Sequence, residues 1–200
     1  VSKENPLTAR TVMNRLWKHF FGTGISKVLD DLGAQGEPPV NPALLDWLAC
    51  EFMDSGWDFQ HMVRIIVTSE TYRQVSTITP ELAEADPYNR ECARQSAFRL
   101  DAELVRDNAL AVSGLLAPKM GGPPVYPPIP EGVLSLGQVK RAWPLSQGAD
   151  RYRRGLYTFI FRATPPPSLS VFDAPDGFST CTRRIRSNTP LQALTLLNDS

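Results

Sequence analysis

The sequence predicts a mainly α protein, an irregular helical domain with long Pro/Gly-rich loops and one or two short β-strands. Four stretches between residues 5 and 114 repeat apolar side chains every three or four positions, which is the period of an amphipathic helix. The 200 residues include 18 prolines and 13 glycines, many of them between the periodic stretches. Residues 151–162 carry the aromatic and branched side chains that favour a strand.

The first helix is predicted within Asn5–Gly24. Asn5 is a favoured helix cap, Pro6 suits the first helical position, and no further Gly or Pro occurs before Gly22. An aliphatic stripe on this helix lies beside a stripe of arginine, asparagine and aromatic side chains, so we expect the helix to be covered on two sides. Arg10 and Asn14 either cap or bridge a neighbouring loop, which is the favoured interpretation, or line a ligand site. Arg15 and His19 lie on a third stripe of the helix, four residues apart.

A loop is predicted at residues 25–40, where Asp30 and Asp31 are adjacent. Two neighbouring carboxylates can bind a hard cation such as Ca²⁺ through their oxygen atoms. The remaining ligand spacing of an EF-hand does not follow them. A cap, or an ion pair with an arginine, is therefore the favoured interpretation.

Two more helices are predicted from their caps. Asn41 and Pro42 begin one that ends near Gly56, and Asp58 caps another that ends near Ser69.

A further long helix is predicted at residues 99–114. It carries a charged ladder at three- and four-residue spacing, and such pairs stabilise an exposed helix by only about 0.2–0.5 kcal/mol each. A buried ladder would instead cross-link helices, including the helix that bears Arg10. The ladder consists of Arg99, Glu103, Arg106 and Asp107.

The second half of the chain is predicted to be mostly irregular. Residues 118–130 hold six prolines and two glycines, which excludes a helix or a central strand there. One strand is predicted at residues 151–162, with a short partner within residues 131–145. A last helix is predicted at residues 188–199. Its apolar stripe is Leu191, Leu194 and Leu197, with Leu196 beside them.

A charged loop precedes the last helix, at residues 173–186. It includes Asp173, Asp176, Arg183 and Arg184. The arginines lie near the N-terminus of the last helix, where charge and helix dipole together favour an anion. Pairing of the arginines with the two aspartates is the favoured alternative.

Composition argues against several classes of function. The formal net charge is zero, which argues against a nucleic-acid partner, and no apolar run approaches the roughly 20 residues of a membrane span. The three cysteines form no CxxC or CxxCH motif, and the two histidines are not in ligand spacing. We therefore expect no metal and no cofactor in this chain.

The chain is expected to be a single domain over residues 1–200 and a piece of a longer protein, because it starts at Val1 without Met and ends inside a predicted helix. The predicted organisation is a helical core at 5–114, a loop and strand region at 115–186, and a last helix at 188–199 truncated at its C-terminus.

Seven collinear segments carry a family resemblance: NPLTARTVMNRLWKHFFGTG, LLDWLACEFMDSGW, IIVTSETYR, RLDAELVRDNALAVSG, MGGPP, RRGLYTF and RSNTPLQALTLLND. From Asn5 to Asp199 the chain resembles the planctomycete-type C-terminal domain of unknown function (domain of unknown function 1553), a cytochrome-c-associated family of large bacterial proteins. The resemblance implies a long, multi-domain, exported or periplasmic protein whose partners are neighbouring domains of the same polypeptide. It implies haem only on a neighbouring domain, and it supplies no catalytic residue.

Three hypotheses of function follow. The first is a helical interaction or scaffold module, the second is part of an enzyme acting on a polymer such as polysaccharide, and the third is an electron-transfer accessory to a fused cytochrome c domain. Acid–base chemistry would need the polar candidates to converge in one cleft with shifted pKa values. We expect residues 5–24, 99–107 and 173–186 to meet in space. The candidate polar cluster is Arg10, Asn14, Arg15, His19, Asp30, Asp31, Arg99, Glu103, Arg106, Asp107, Asp173, Arg183 and Arg184.

Overall fold

A computed structural model describes residues 2–31, 33, 35–136 and 141–198 of the chain. The mainly α class is confirmed, because helices joined by irregular segments make up the fold. None of the helices in these residues is long and apolar enough to cross a membrane. The α-helices are α1 (Thr8–Phe21), α2 (Pro42–Asp54), α3 (Phe59–Thr68), α4 (Glu70–Arg73), α5 (Pro80–Ala85), α6 (Ala102–Val112), α7 (Pro167–Val171) and α8 (Pro190–Asn198).

The chain divides into two compact units, Val1–Phe98 and Arg99–Ser200. The division falls inside the helical core predicted at 5–114, since α6 belongs to the second unit. A single domain over residues 1–200 stays a prediction. Asp199, the end of the predicted last helix, lies outside the described residues.

Helix α1 starts three residues later than its predicted cap. The side-chain oxygen Oδ1 of Asn5 accepts hydrogen bonds from the backbone N–H groups of Leu7 (2.9 Å) and Thr8 (3.1 Å), so Asn5 still binds the N–H groups at the helix entry. At the other end, Gly22 has a φ of 81° and donates its N–H to the carbonyl of Lys18 (2.8 Å). This left-handed conformation explains why a glycine ends the helix.

The first unit is built on an apolar core shared by α1, α2 and α3. Trp17 and Phe21 stack with ring centroids 4.0 Å apart, which fixes the aromatic side of α1 against its neighbours. The side chains of this core are almost fully removed from water. They are Ala9, Met13, Trp17, Phe21, Ile25, Leu45, Leu48, Ala49, Phe52, Met62 and Ile66.

The caps of α2 and α3 confirm the predicted starts. Asn41 Oδ1 accepts from the N–H of Leu44 (3.0 Å), and Asp58 Oδ1 accepts from the N–H groups of Gln60 (2.8 Å) and His61 (3.1 Å). Each cap satisfies N–H groups that the helix itself leaves without acceptors.

The second unit has a much smaller apolar core. Only Ala102, Leu169 and Phe172 form a buried apolar cluster among its described residues, with a few half-buried neighbours. Hydrogen bonds and ion pairs from α6 therefore carry a larger share of the stability of this unit.

The strand predicted at 151–162 is reduced to isolated bridges. Two 3₁₀ turns, Gly148–Tyr152 and Gly155–Tyr157, interrupt the segment. Two bridges pair Arg153 with Ala117 and Thr158 with Val125, and a third pairs Phe161 with Thr164, whereas the prediction placed the partner within 131–145. Positions 137–140 of that predicted partner lie outside the described residues.

Close packing of Gly155 on α6 explains the lost strand. A Cβ atom at Gly155 would lie 2.7 Å from the carbonyl oxygen of Glu103, and the Gly155 N–H is bound by Asp107. Local β-propensity is therefore overridden by attachment to α6.

Helix α8 starts at Pro190, two residues after the predicted start at 188, and its leucine stripe faces away from the unit. Leu191, Leu194 and Leu197 are 58%, 55% and 81% exposed, whereas Gln192 is only 4% exposed. Gln192 Nε2 donates to the carbonyl of Val171 (2.9 Å) and to Ser187 Oγ (3.1 Å). The polar side of this helix thus anchors it, and its apolar side is left at the surface.

We expect Trp17→Ala to lower the free energy of unfolding of the first unit by about 3–5 kcal/mol, because it removes a buried aromatic ring and leaves a cavity. The matched control is Trp47→Ala, since Trp47 is 52% exposed while Trp17 is 7% exposed. Denaturant unfolding followed by far-ultraviolet circular dichroism measures both. Equal stabilities of the two variants would show that α1 is not central to the core.

Candidate functional site

Arg10 is held in a closed ion pair. Its Nε lies 2.5 Å from Asp46 Oδ1 on α2, and its Nη1 donates to the carbonyl of Pro6 (2.6 Å). The hydrogen bond raises the pKa of Arg10 and lowers the pKa of Asp46, so both groups remain charged at neutral pH. The guanidinium therefore serves to join α1 to α2.

Asn14 bridges the loop that follows α1. Its Nδ2 donates to the carbonyl of Ser26 and its Oδ1 accepts from the Ser26 N–H, both at 2.9 Å. A Cβ atom at Gly24 would lie 2.4 Å from the Ser26 carbonyl oxygen and 2.7 Å from Asn14 Oδ1, so glycine is needed for this close approach. Asn14 is fully buried, and both ends of its amide are satisfied.

The remaining candidates of the first unit are on its surface. Arg15, His19, Asp30 and Asp31 are all exposed, and Asp31 Oδ1 accepts from the N–H of Gly33 (2.9 Å), which closes a turn. Among the described residues, no three His, Cys, Asp or Glu side chains come together in a group that could hold a metal ion.

In the second unit, the charged ladder of α6 meets the loop at 173–186. Glu103 accepts two hydrogen bonds from Arg184, at 2.5 and 3.0 Å, in a bidentate pair that raises the pKa of Arg184. Arg186 Nε lies 3.1 Å from Asp101 Oδ1. The pairing of loop arginines was predicted, but with aspartates of the loop itself rather than with carboxylates at α6. Arg183 is exposed.

Asp173 closes the same loop onto the start of α6. Its φ is 61°, and its Oδ2 accepts from Arg99 Nη2 (2.6 Å) and from the Ser187 N–H (2.7 Å). The Ser187 hydroxyl lies 2.9 Å from both carboxylate oxygens. The pKa of Asp173 is held below its usual range, mainly by the hydrogen bond from the Ser187 N–H. The Ser187 hydroxyl and the charge of Arg99 lower it further.

The lower half of the ladder binds the backbone at 151–155. Asp107 Oδ1 accepts from the Gly155 N–H (2.5 Å), and Asp107 Oδ2 accepts from Arg154 Nε (3.1 Å). Arg106 donates to the carbonyls of Arg153 (2.8 Å) and Arg151 (3.0 Å). Together these two side chains fix a whole turn of irregular backbone to α6.

The burial of Arg153 was not predicted from the sequence. The residue is 1% exposed, its Nη1 donates to the carbonyl of Pro123 (3.0 Å), and its Nη2 donates to the carbonyls of Lys119 and Gly121. The guanidinium also lies over the ring of Tyr157, 3.9 Å from the centroid. Four arginines occur between residues 151 and 162, and no periodicity marks which one is buried.

The second unit contains a cleft of about 420 Å³ beside α6, which we call the α6 cleft. Its walls are mainly apolar, and its polar lining includes Arg106, Arg151 and Thr158. Thr158 is 8% exposed, and its hydroxyl has no hydrogen-bond partner among the described residues. The α6 cleft includes only one of the candidate residues, Arg106.

A cleft of about 520 Å³ lies in the first unit, between the core helices and residues 89–92. Trp47 lines it, and Asn89 and Cys92 line it with left-handed φ values of 50° and 54°. Burial raises the pKa of the Cys92 thiol, which keeps the thiol protonated at neutral pH. None of the candidate residues lines this cleft.

The candidate residues therefore divide between two units and mostly end in closed contacts. Arg10 and Asn14 make their hydrogen bonds within the first unit, whereas the α6 ladder and the loop at 173–186 meet within the second. Asp46 and Asp173 have lowered pKa values, which suits carboxylates in ion pairs, whereas a general acid needs a raised one.

Comparison with family models identifies the family of this chain. A family model described as PSD1, protein of unknown function (DUF1553), matches residues 1–200. No curated protein and no solved structure matches the chain.

The lowered pKa of Asp173 predicts a loss of stability in acid. A carboxyl group whose pKa is lower in the folded state stabilises that state above its unfolded pKa, about 3.9, and loses this contribution as pH falls through the folded pKa. We expect Asp173→Asn to reduce the free energy of unfolding at neutral pH and to flatten its decline in acid. Denaturant unfolding from neutral pH to below about pH 3 measures both effects.

Glu4→Gln is the control for that experiment, because it also removes one carboxylate but from an exposed position. An acid profile of Asp173→Asn that coincides with those of Glu4→Gln and the unchanged chain would contradict the assignment.

Proposed function

We propose that this chain, which belongs to the PSD1 family of proteins of unknown function (DUF1553), is a helical interaction or scaffold module of a larger protein. Its partners would be neighbouring domains of the same polypeptide. In the exported bacterial protein implied by the sequence resemblance, one such neighbour would carry the haem. The module would hold its neighbours in place and would not itself carry out chemistry.

The observation that carries this proposal is the outward stripe of α8. Leu191, Leu194 and Leu197 recur every three residues, so they lie on one side of the helix, and each is more than half exposed. Fully burying one leucine side chain stabilises a complex by about 1.5–3 kcal/mol. Three neighbouring leucines therefore offer a substantial apolar contact that the second unit itself leaves unused.

The anchoring of α8 supports its use as a docking surface. Gln192 binds Val171 and Ser187, and Ser187 in turn binds Asp173. Asp173 is fixed by Arg99 at the start of α6. The helix is therefore held in one orientation before a partner arrives, which lowers the conformational cost of binding.

The use of the charged residues points the same way. Glu103, Asp107 and Asp173 each bind an arginine. The two aspartates also accept a hydrogen bond from a backbone N–H. These contacts fix loops onto α6. Charges committed to holding loops favour a scaffold over an acid–base site.

Amide hydrogen exchange tests the proposal. We expect α8 to exchange more slowly in the full-length polypeptide than in the 200-residue chain, because a neighbouring domain covers the leucine stripe. Replacing Leu194 and Leu197 together by Glu should abolish this difference, since charged groups would have to be buried against the partner.

Leu156→Glu is the matched control. Leu156 is 74% exposed in the same unit but is not on α8, so its replacement should leave the slower exchange of α8 intact. Equal exchange of α8 in the full-length and 200-residue proteins, or slow exchange that survives the double replacement, would refute docking through this stripe.

A further inference from the structure

We propose that the α6 cleft is a binding site for a small organic anion, a carboxylate carried on an apolar body. This site is separate from the outward leucine stripe of α8 and does not depend on it. Three properties of the cleft carry the inference: its size and apolar walls, the sign of its charge, and a buried hydroxyl without a partner.

The size and lining suit a small molecule. Ligand cavities typically enclose about 300–1,000 Å³ and have mainly apolar walls with a few polar groups, and this cleft encloses about 420 Å³. Helix α6 supplies one wall, the Pro-rich loop at residues 118–130 a second, and α7 a third, and Thr195 and Leu196 of α8 also line the cleft. The principal apolar lining residues are Val105, Leu110, Leu115, Ile129, Leu169 and Phe172.

The charge of the lining is positive. Arg106 and Arg151 line the cleft, and none of its described lining residues is Asp or Glu. The carboxylates of α6 are engaged elsewhere, Glu103 by Arg184 and Asp107 by Arg154. Positive charge between apolar walls attracts an anion more strongly than the same charge in open water.

The two arginines are suited to this role in different ways. Arg106 is fixed by its hydrogen bonds to two backbone carbonyls, which orient its guanidinium. Arg151 has no side-chain ion pair within the described part of the chain. One guanidinium is thus positioned in advance, and the other is available to pair with a carboxylate.

Thr158 adds a hydrogen-bond donor to the same lining. Its hydroxyl is buried and has no partner among the described residues, and leaving such a group unsatisfied costs about 1–3 kcal/mol. A hydroxyl hydrogen rotates to suit its acceptor. A carboxylate drawn in by the arginines would supply the acceptor that Thr158 lacks.

Calorimetric titration of the 200-residue chain with four probes tests the ligand class. Decanoate combines the apolar body with the anion, decanol lacks the charge, decyltrimethylammonium reverses it, and acetate lacks the apolar body. We expect decanoate to bind at least about tenfold more tightly than decanol. This ratio corresponds to the contribution of one hydrogen bond to a charged group, which decanol cannot make. Acetate and the cation should show no binding. Failure of decanoate to bind, or equal binding of decanol or the cation, would overturn the proposal.

Substitutions then locate the site. Arg151→Gln should weaken decanoate binding by about tenfold, and Thr158→Val, which removes the hydroxyl at similar volume, should weaken it by several-fold. Arg183→Gln is the charge-matched control, because Arg183 is exposed and does not line the cleft. Unchanged affinity in Arg151→Gln, or an equal loss in Arg183→Gln, would show that decanoate binds elsewhere or by general charge, and would also overturn the proposal.

Discussion

The attachment of residues 151–155 to α6 is the constraint on which the second unit depends. Asp107 binds the Gly155 N–H, and Arg106 binds two carbonyls of the same turn. From that turn, Arg153 reaches into the Pro-rich loop and binds its carbonyl groups. Prolines deprive this loop of backbone donors, so a buried guanidinium provides the hydrogen bonds that a sheet or helix would otherwise supply.

This construction differs from that of the first unit, where α1, α2 and α3 share an extended apolar core. The second unit buries only a small apolar cluster around Phe172 among its described residues, and ion pairs at α6 hold the segments at 151–155 and 173–186. Such pairs define geometry well, because a charge deprived of its partner is costly to bury. The charged groups in these pairs are engaged in structural contacts, whereas Leu191, Leu194 and Leu197 of α8 stay exposed.

Local signals explain what the sequence could predict. Caps such as Asn41 and Asp58 and the regular spacing of apolar residues identified the long helices, because both act within one helical turn. The predicted strand at 151–162 was too long, because the β-propensity of this segment is overridden by the contact of Gly155 with Asp107, 48 residues away in the sequence. The burial of Arg153 and the pairing of Arg10 with Asp46 depend on which segments meet in three dimensions. No local pattern encodes those choices, and the outward face of α8 was likewise visible only in the structure.

Native-state hydrogen exchange of Asp107→Ala tests most directly whether α6 supports the Pro-rich loop. The amide of Ala117 donates to the carbonyl of Tyr152, within the anchored turn, and the amide of Val125 donates to the carbonyl of Tyr157, two residues beyond it. We predict that their protection falls by at least roughly tenfold in the variant, while the Met13 amide in α1 keeps its exchange rate. Unchanged protection at Ala117 and Val125 would contradict the account, because it would show that the loop is ordered without its attachment to α6.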